Sequence, residues 1–98
     1  MFGLFRKPDE HVKPEGDRAF LLRIRTSRHG DIVELRLNKG NEIGSSDEGG
    51  YYVRKAIVSS QNLDRATLEI WFDNGYRPKR KVVEGGELVP IKEWRQAQ

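Results

Sequence analysis

The sequence predicts an all-β domain: a small antiparallel sheet of five to six strands, closed as a barrel or laid out as a meander. Three observations carry that class. Apolar and polar residues alternate in several short runs, the period-2 pattern of a half-buried strand. Glycine-marked turns separate those runs. The runs recur about every 10–15 residues, and no internal repeat stands out.

Taken in order, residues 1–17 read as a flexible tail and 18–98 as a single β domain. Phe2, Leu4 and Phe5 are apolar, but Arg6 to Asp17 is charged and holds Pro8, Pro14 and Gly16. In the first strand, Ala19 to Thr26, Phe20, Leu22 and Ile24 alternate with Leu21, Arg23 and Arg25. Ser27-Arg28-His29-Gly30 turns the chain into a second strand, Asp31 to Asn38, with Glu34 placed to face Arg23 or Arg25. Lys39 to Gly50, with Gly40, Gly44, Gly49, Gly50 and three acids, reads as a long mobile loop. Tyr51 to Ser59 is the third strand.

The clearest signal lies in 66–83. Ala66, Leu68, Ile70 and Phe72 point one way, and Thr67, Glu69 and Trp71 the other. Asp73-Asn74-Gly75 then breaks the pattern. A two-residue Asn74-Gly75 turn would set Arg77, Lys79 and Lys81 against the apolar face. A three-residue loop with Gly75 in the left-handed conformation instead pairs Phe72 with Tyr76 and Trp71 with Arg77, and is the expected register. Pro78 has no N–H for a ladder, so the returning strand is expected at an edge. Glu84-Gly85-Gly86-Glu87 turns again, Leu88 to Ile91 forms a last short strand, and Lys92 to Gln98 suits one helical turn with Trp94 folded onto the core.

The run Leu68-Glu69-Ile70-Trp71-Phe72-Asp73-Asn74-Gly75, then Val82-Val83 and Leu88-Val89-Pro90-Ile91, resembles the last strands of Tudor and other SH3-like barrels. The resemblance covers about a quarter of the chain and implies an SH3-like architecture; it brings no aromatic-cage residues with it.

Composition bounds the chemistry. The chain has no cysteine, which excludes disulfides, thiolate metal sites and cysteine nucleophiles and fits a reducing, cytoplasmic setting. No apolar stretch reaches the roughly 20 residues of a membrane span. His11 and His29 have no triad-like or zinc-like spacing, the acids form no acid/base pair, and the glycines match no phosphate-binding motif. No catalytic residue, metal, cofactor or small-molecule substrate is therefore expected.

What remains is binding. Net charge is only +3, yet Arg77, Lys79, Arg80 and Lys81 crowd one strand, while 41–50 carries Glu42, Asp47 and Glu48 without a cation. The candidate binding residues are Trp71, Tyr76, Arg77, Lys79, Arg80 and Lys81, extended by Arg23 and Arg25 if their strands are neighbours. Exposed aromatics (Tyr51 or Tyr52, Trp71, Trp94) suit a protein partner or a second copy of the chain. Cations beside flat rings also suit RNA or DNA, through phosphate contact and base stacking.

Overall fold

The computed structural model describes residues 9–97. Among the described residues eight strands form two antiparallel sheets. In the first, β2 (Ala19–Thr26) pairs along one edge with β3 (Ile32–Asn38), and along the other with β1 (Lys13–Glu15) and β8 (Gly86–Leu88). In the second, the order is β4 (Gly44–Ser45), β5 (Tyr51–Val58), β6 (Arg65–Phe72), β7 (Pro78–Glu84). A 3-10 helix spans Ile91–Ala97. The all-β class is confirmed, but the strands are eight rather than five or six, and they make two sheets that do not close into a barrel. No helix among the described residues is long and apolar enough to cross a membrane.

The alternation seen in the sequence becomes the core between the sheets. Phe20, Leu22, Ile24 and Leu37 from the first sheet meet Val53, Leu68, Ile70 and Phe72 from the second, all buried. The rings of Phe20 and Phe72 stack at 5.4 Å between centroids, joining the two layers. Fully burying such a side chain contributes roughly 1.5–3 kcal/mol.

The two central hairpins, β2–β3 and β5–β6, interlock through their loops. Asp31 and Asp64, both buried, are exchanged: each carboxylate serves the other hairpin's loop. The Ser59 hydroxyl donates to Asp31 Oδ2 and the Thr26 hydroxyl to Asp64 Oδ2, each at 2.7 Å. Those hydroxyls accept the N–H of the aspartate in their own loop, at 2.9 Å for Thr26 and 3.0 Å for Ser59. Asn62 donates its N–H and its side-chain amide to Asp31, while His29 gives its N–H to Asp64 and sets Nδ1 2.7 Å from Asp64 Oδ1. Gly30 and Leu63 hold matching positive φ angles of 73° and 58°.

Thr26, His29, Gly30 and Asp31 thus recur as Ser59, Asn62, Leu63 and Asp64 at one constant offset, with the core residues Leu35 and Leu37 recurring as Leu68 and Ile70. This is an internal repeat, contrary to the expectation of none. It escapes sequence inspection because it preserves hydrogen-bonding roles rather than residue identities.

Three further expectations are corrected. Residues 1–8 lie outside the described residues, the apolar Phe2, Leu4 and Phe5 among them; the rest of the expected tail is integrated, with Val12 in the core and β1 on the sheet. The stretch 39–50 is anchored by buried Ile43, by a Glu42–Lys55 ion pair and by β4. Lys55 occupies an inward position opposite Leu68, and its ammonium, hydrogen-bonded to Glu42, keeps that carboxyl below its usual range.

The hairpin register also differs. Trp71 faces Arg80 and Phe72 faces Pro78, with a bulge between them that accommodates Lys79. Asp73 explains the longer loop: its Oδ1 accepts the N–H groups of Gly75 and Arg77 at 2.8 and 2.9 Å, closing an Asx-type turn. Tyr76, not Gly75, takes the left-handed conformation, at φ 63°. Its ring stacks on Tyr51 at 3.9 Å, a contact that holds the strained backbone. The new register places Val83 opposite Leu68, where the expected one put Arg80.

Gly85 passes the chain from the second sheet to the first. Its φ is 82°, and an added Cβ would lie 2.5 Å from the Arg65 carbonyl oxygen. Gly85→Ala should therefore destabilise by about 2–4 kcal/mol, read as a lower urea midpoint.

A second prediction concerns acid. Ser59 first, then Asn62, hold Asp31 below the ordinary 3.8 despite its burial. Burial pushes Asp64 up, but bonds from Thr26 and His29 outweigh it and leave Asp64 below 3.8 as well. Groups with depressed folded-state pKa values stabilise above the unfolded value and lose that contribution as pH falls through the folded one. Urea midpoints should be flat for these groups above about pH 5 and fall steadily below about pH 4. Ser59→Ala should shrink the acid-dependent part.

Candidate interaction surface

The outward face of β5, β6 and β7 gathers the side chains that the sandwich core cannot use. Tyr52 stands directly opposite Trp71, and Trp71 opposite Arg80. The Tyr52 and Trp71 rings lie 5.2 Å apart, tilted by 47°. The Arg80 guanidinium sits 4.9 Å from the indole centroid, a cation–π contact that tethers the cation over an apolar plane. The Tyr52 hydroxyl donates to Glu69 Oε2 at 2.5 Å, and this bond, with the adjoining negative charge, raises the phenol's pKa. Beyond Tyr52, Ser45, Ser46, Asp47 and Glu48 form the far wall of an open cleft of about 340 Å³ floored by Tyr52 and Trp71.

The cleft is therefore two-signed. Asp47 and Glu48 line one side, and the Arg80 guanidinium lies over the Trp71 indole that floors the cleft. It offers an indole face, a phenol, a guanidinium, two carboxylates and two hydroxyls, a set suited to holding a flat or apolar group between polar rims. Among the described residues no three His, Asp or Glu side chains are grouped to hold a metal ion.

The structure disperses the other candidates. Arg77 is tied to Asp73 by a 3.0 Å ion pair within its own loop. Tyr76 packs between Tyr51 and the Phe20–Phe72 stack, with the Lys39 ammonium 4.5 Å above its ring. Lys81 turns inward at the sheet edge, where its ammonium reaches both oxygens of Asp9 at 2.8 Å and His11 Nδ1 at 3.1 Å. Arg23 and Arg25 lie on the outward face of the first sheet, on the opposite side of the sandwich from Trp71. There Arg23 pairs with Glu34 and stacks on Trp94, and Arg25 pairs with Glu87 and Glu93. Trp94 is buried, its indole N–H donating to the Val89 carbonyl, so it is no surface anchor.

One basic patch running from Arg23 to Lys81 is therefore not formed. Reasoning from sequence placed Trp71 on the correct face but set Arg80 inward, opposite Leu68, left Tyr51 and Tyr52 undecided and missed the 45–48 wall. Strand parity from Val53 and Ile57, both core residues, selects Tyr52; the wall depends on how the 39–50 stretch is anchored, which parity does not reach.

Comparison of the chain with protein-family models, with curated proteins and with solved structures finds no match.

Lys81 can be tested directly. Burial alone would raise the Asp9 carboxyl, but its bonds with Lys81, His11 and Val12 bring it below its usual value. Lys81→Met should raise the Asp9 pKa, measurable by side-chain NMR titration, and cost about 1 kcal/mol. It should also loosen the amides of His11 and Val12, which Asp9 caps at 2.8 and 3.0 Å.

Proposed function

We propose that this chain is a non-enzymatic interaction module that captures a protein partner on the outward face of β5–β6–β7. The observation that carries the reading is the Tyr52–Trp71–Arg80 row beside a cleft whose far wall holds Asp47 and Glu48. Aromatic residues and arginine are the usual anchors of protein interfaces, and charges of opposite sign orient the incoming chain. The partner segment best suited to it carries an apolar or aromatic anchor, a basic residue toward Asp47 and Glu48, and an acidic one toward Lys79 and Arg80.

The SH3-like likeness of the 68–91 run favours a binding role of this kind, and the absence of cysteine suits work in the cytoplasm. Nucleic acid is the competing ligand. Its support is reduced to Lys79 and Arg80 beside Trp71, because Lys81 and Arg77 are engaged with Asp9 and Asp73.

Selection of peptides from a random displayed library on the folded domain tests the reading. Peptides with the stated charge order should be enriched. Trp71→Ala should weaken their binding at least tenfold, equivalent to about 1.4 kcal/mol, while Arg25→Ala on the opposite face should not. Failure to enrich any such peptide counts against the proposal. Oligonucleotide binding that falls steeply with salt and disappears with Arg80→Glu would favour the competing ligand.

A further inference from the structure

The internal repeat exposes an asymmetry in how the two hairpins are finished. Bonds between Ser59 and Asp64 set the phase of the β5–β6 ladder, so that Thr67, Glu69 and Trp71 aim their N–H and C=O groups away from β5. The chain covers these itself: β7 pairs Glu84, Val82 and Arg80 with them. Bonds at Thr26–Asp31 and Arg18–Lys39 set the same phase for β2–β3, so that Ile32, Glu34 and Arg36 aim theirs away from β2. Among the described residues no strand pairs with that edge of β3. The repeat therefore has a ladder position that is filled beside β6 and open beside β3.

The open edge is not guarded as edges commonly are. β7 carries Pro78, Lys79 and Lys81, residues that block pairing; β3, Ile-Val-Glu-Leu-Arg-Leu-Asn, has no proline or lysine. Its two exposed charges are Glu34 and Arg36, flanking Leu35. In an antiparallel pairing of two copies centred on Leu35, each Glu34 faces the partner copy's Arg36. Both residues have outward-aimed backbone groups, so the pair can exchange two hydrogen bonds on each side of the centre. Shifting the centre to Glu34 or to Arg36 sets like charges opposite each other, which destabilises cross-strand pairs. Of these three registers charge selects the one centred on Leu35, which also keeps Val33, Leu35 and Leu37 of both copies on the core side.

From this geometry we infer that the chain forms a two-fold symmetric dimer through β3, joining the first sheets of two copies into one continuous sheet. The occupant of the open edge is a second copy of the chain, because the strand is complementary to itself in charge as well as in backbone phase. Glu34 and Arg36 already contact Arg23 at 3.2 Å and Glu15 at 2.7 Å, so the interfacial charges join exposed pairs that alternate in sign. The dimer uses the opposite sheet from the Trp71 cleft, and neither proposal requires the other.

Sedimentation velocity with Glu34→Arg and Arg36→Glu provides the test. Wild type should dimerise, and each single variant should weaken self-association at least tenfold by placing like charges opposite. An equimolar mixture of the two variants should dimerise again, since position 34 of either copy then faces an opposite charge at position 36 of the other. Wild type that stays monomeric at millimolar concentration overturns the inference, as does a dimer that the variants leave intact or the mixture fails to restore. Hydrogen exchange on the wild type gives a reading independent of the variants: the Glu34 and Arg36 amides should gain protection as concentration rises, while Leu35, bonded to β2, stays protected throughout. Glu34 and Arg36 amides that exchange equally fast at all concentrations also overturn it.

Discussion

The structure depends on the exchange of two buried aspartates between two hairpin loops. Neither loop could bury its carboxylate alone, because each would lack donors enough to replace water. Placed head to head, each loop supplies a hydroxyl, a backbone N–H and a side-chain nitrogen to the other's carboxylate. The exchange fixes how the two sheets meet, and so determines which residues of each face the shared core. It also makes the sandwich sensitive to acid at its most buried polar point.

The surface proposed for binding lies outside that lock. Once Ala66, Leu68, Ile70 and Phe72 are committed inward, strand parity sends Trp71 and Glu69 outward, and the opposing strands bring Tyr52 and Arg80 beside them. The cleft is a by-product of satisfying the core, completed by the 45–48 segment. The open edge of β3 arises from the same economy: β7 finishes one hairpin of the repeat, and nothing in the described chain finishes the other.

The strands were legible because period-2 alternation is a local property. Five of the six expected strands appear with bounds shifted by at most two residues, and the Glu34–Arg23 pairing follows from a short hairpin with unambiguous core residues. The hairpin around 73–77 was misread because a three-residue loop with Gly75 left-handed already paired most apolar residues with one another, yet the Asp73 carboxylate captured Gly75 and Arg77 and lengthened the loop. The basic cluster misled for a different reason. Sequence proximity of Arg77, Lys79, Arg80 and Lys81 says nothing about strand parity after a bulge, and the bulge exchanges the faces expected of two of them, turning Lys81 inward and Arg80 outward.

By itself, the sequence determined an all-β chain without cysteine chemistry, the position of most strands, and the outward placement of Trp71, because these follow from composition and nearest-neighbour periodicity. The tertiary structure alone decided that the strands form two sheets rather than one barrel, that Asp31 and Asp64 are exchanged, that Lys81 is bound to Asp9, and that β3 has an open edge. Each of these joins groups far apart in the chain, and hydrogen-bond and charge partners at such separation leave no periodic trace along it.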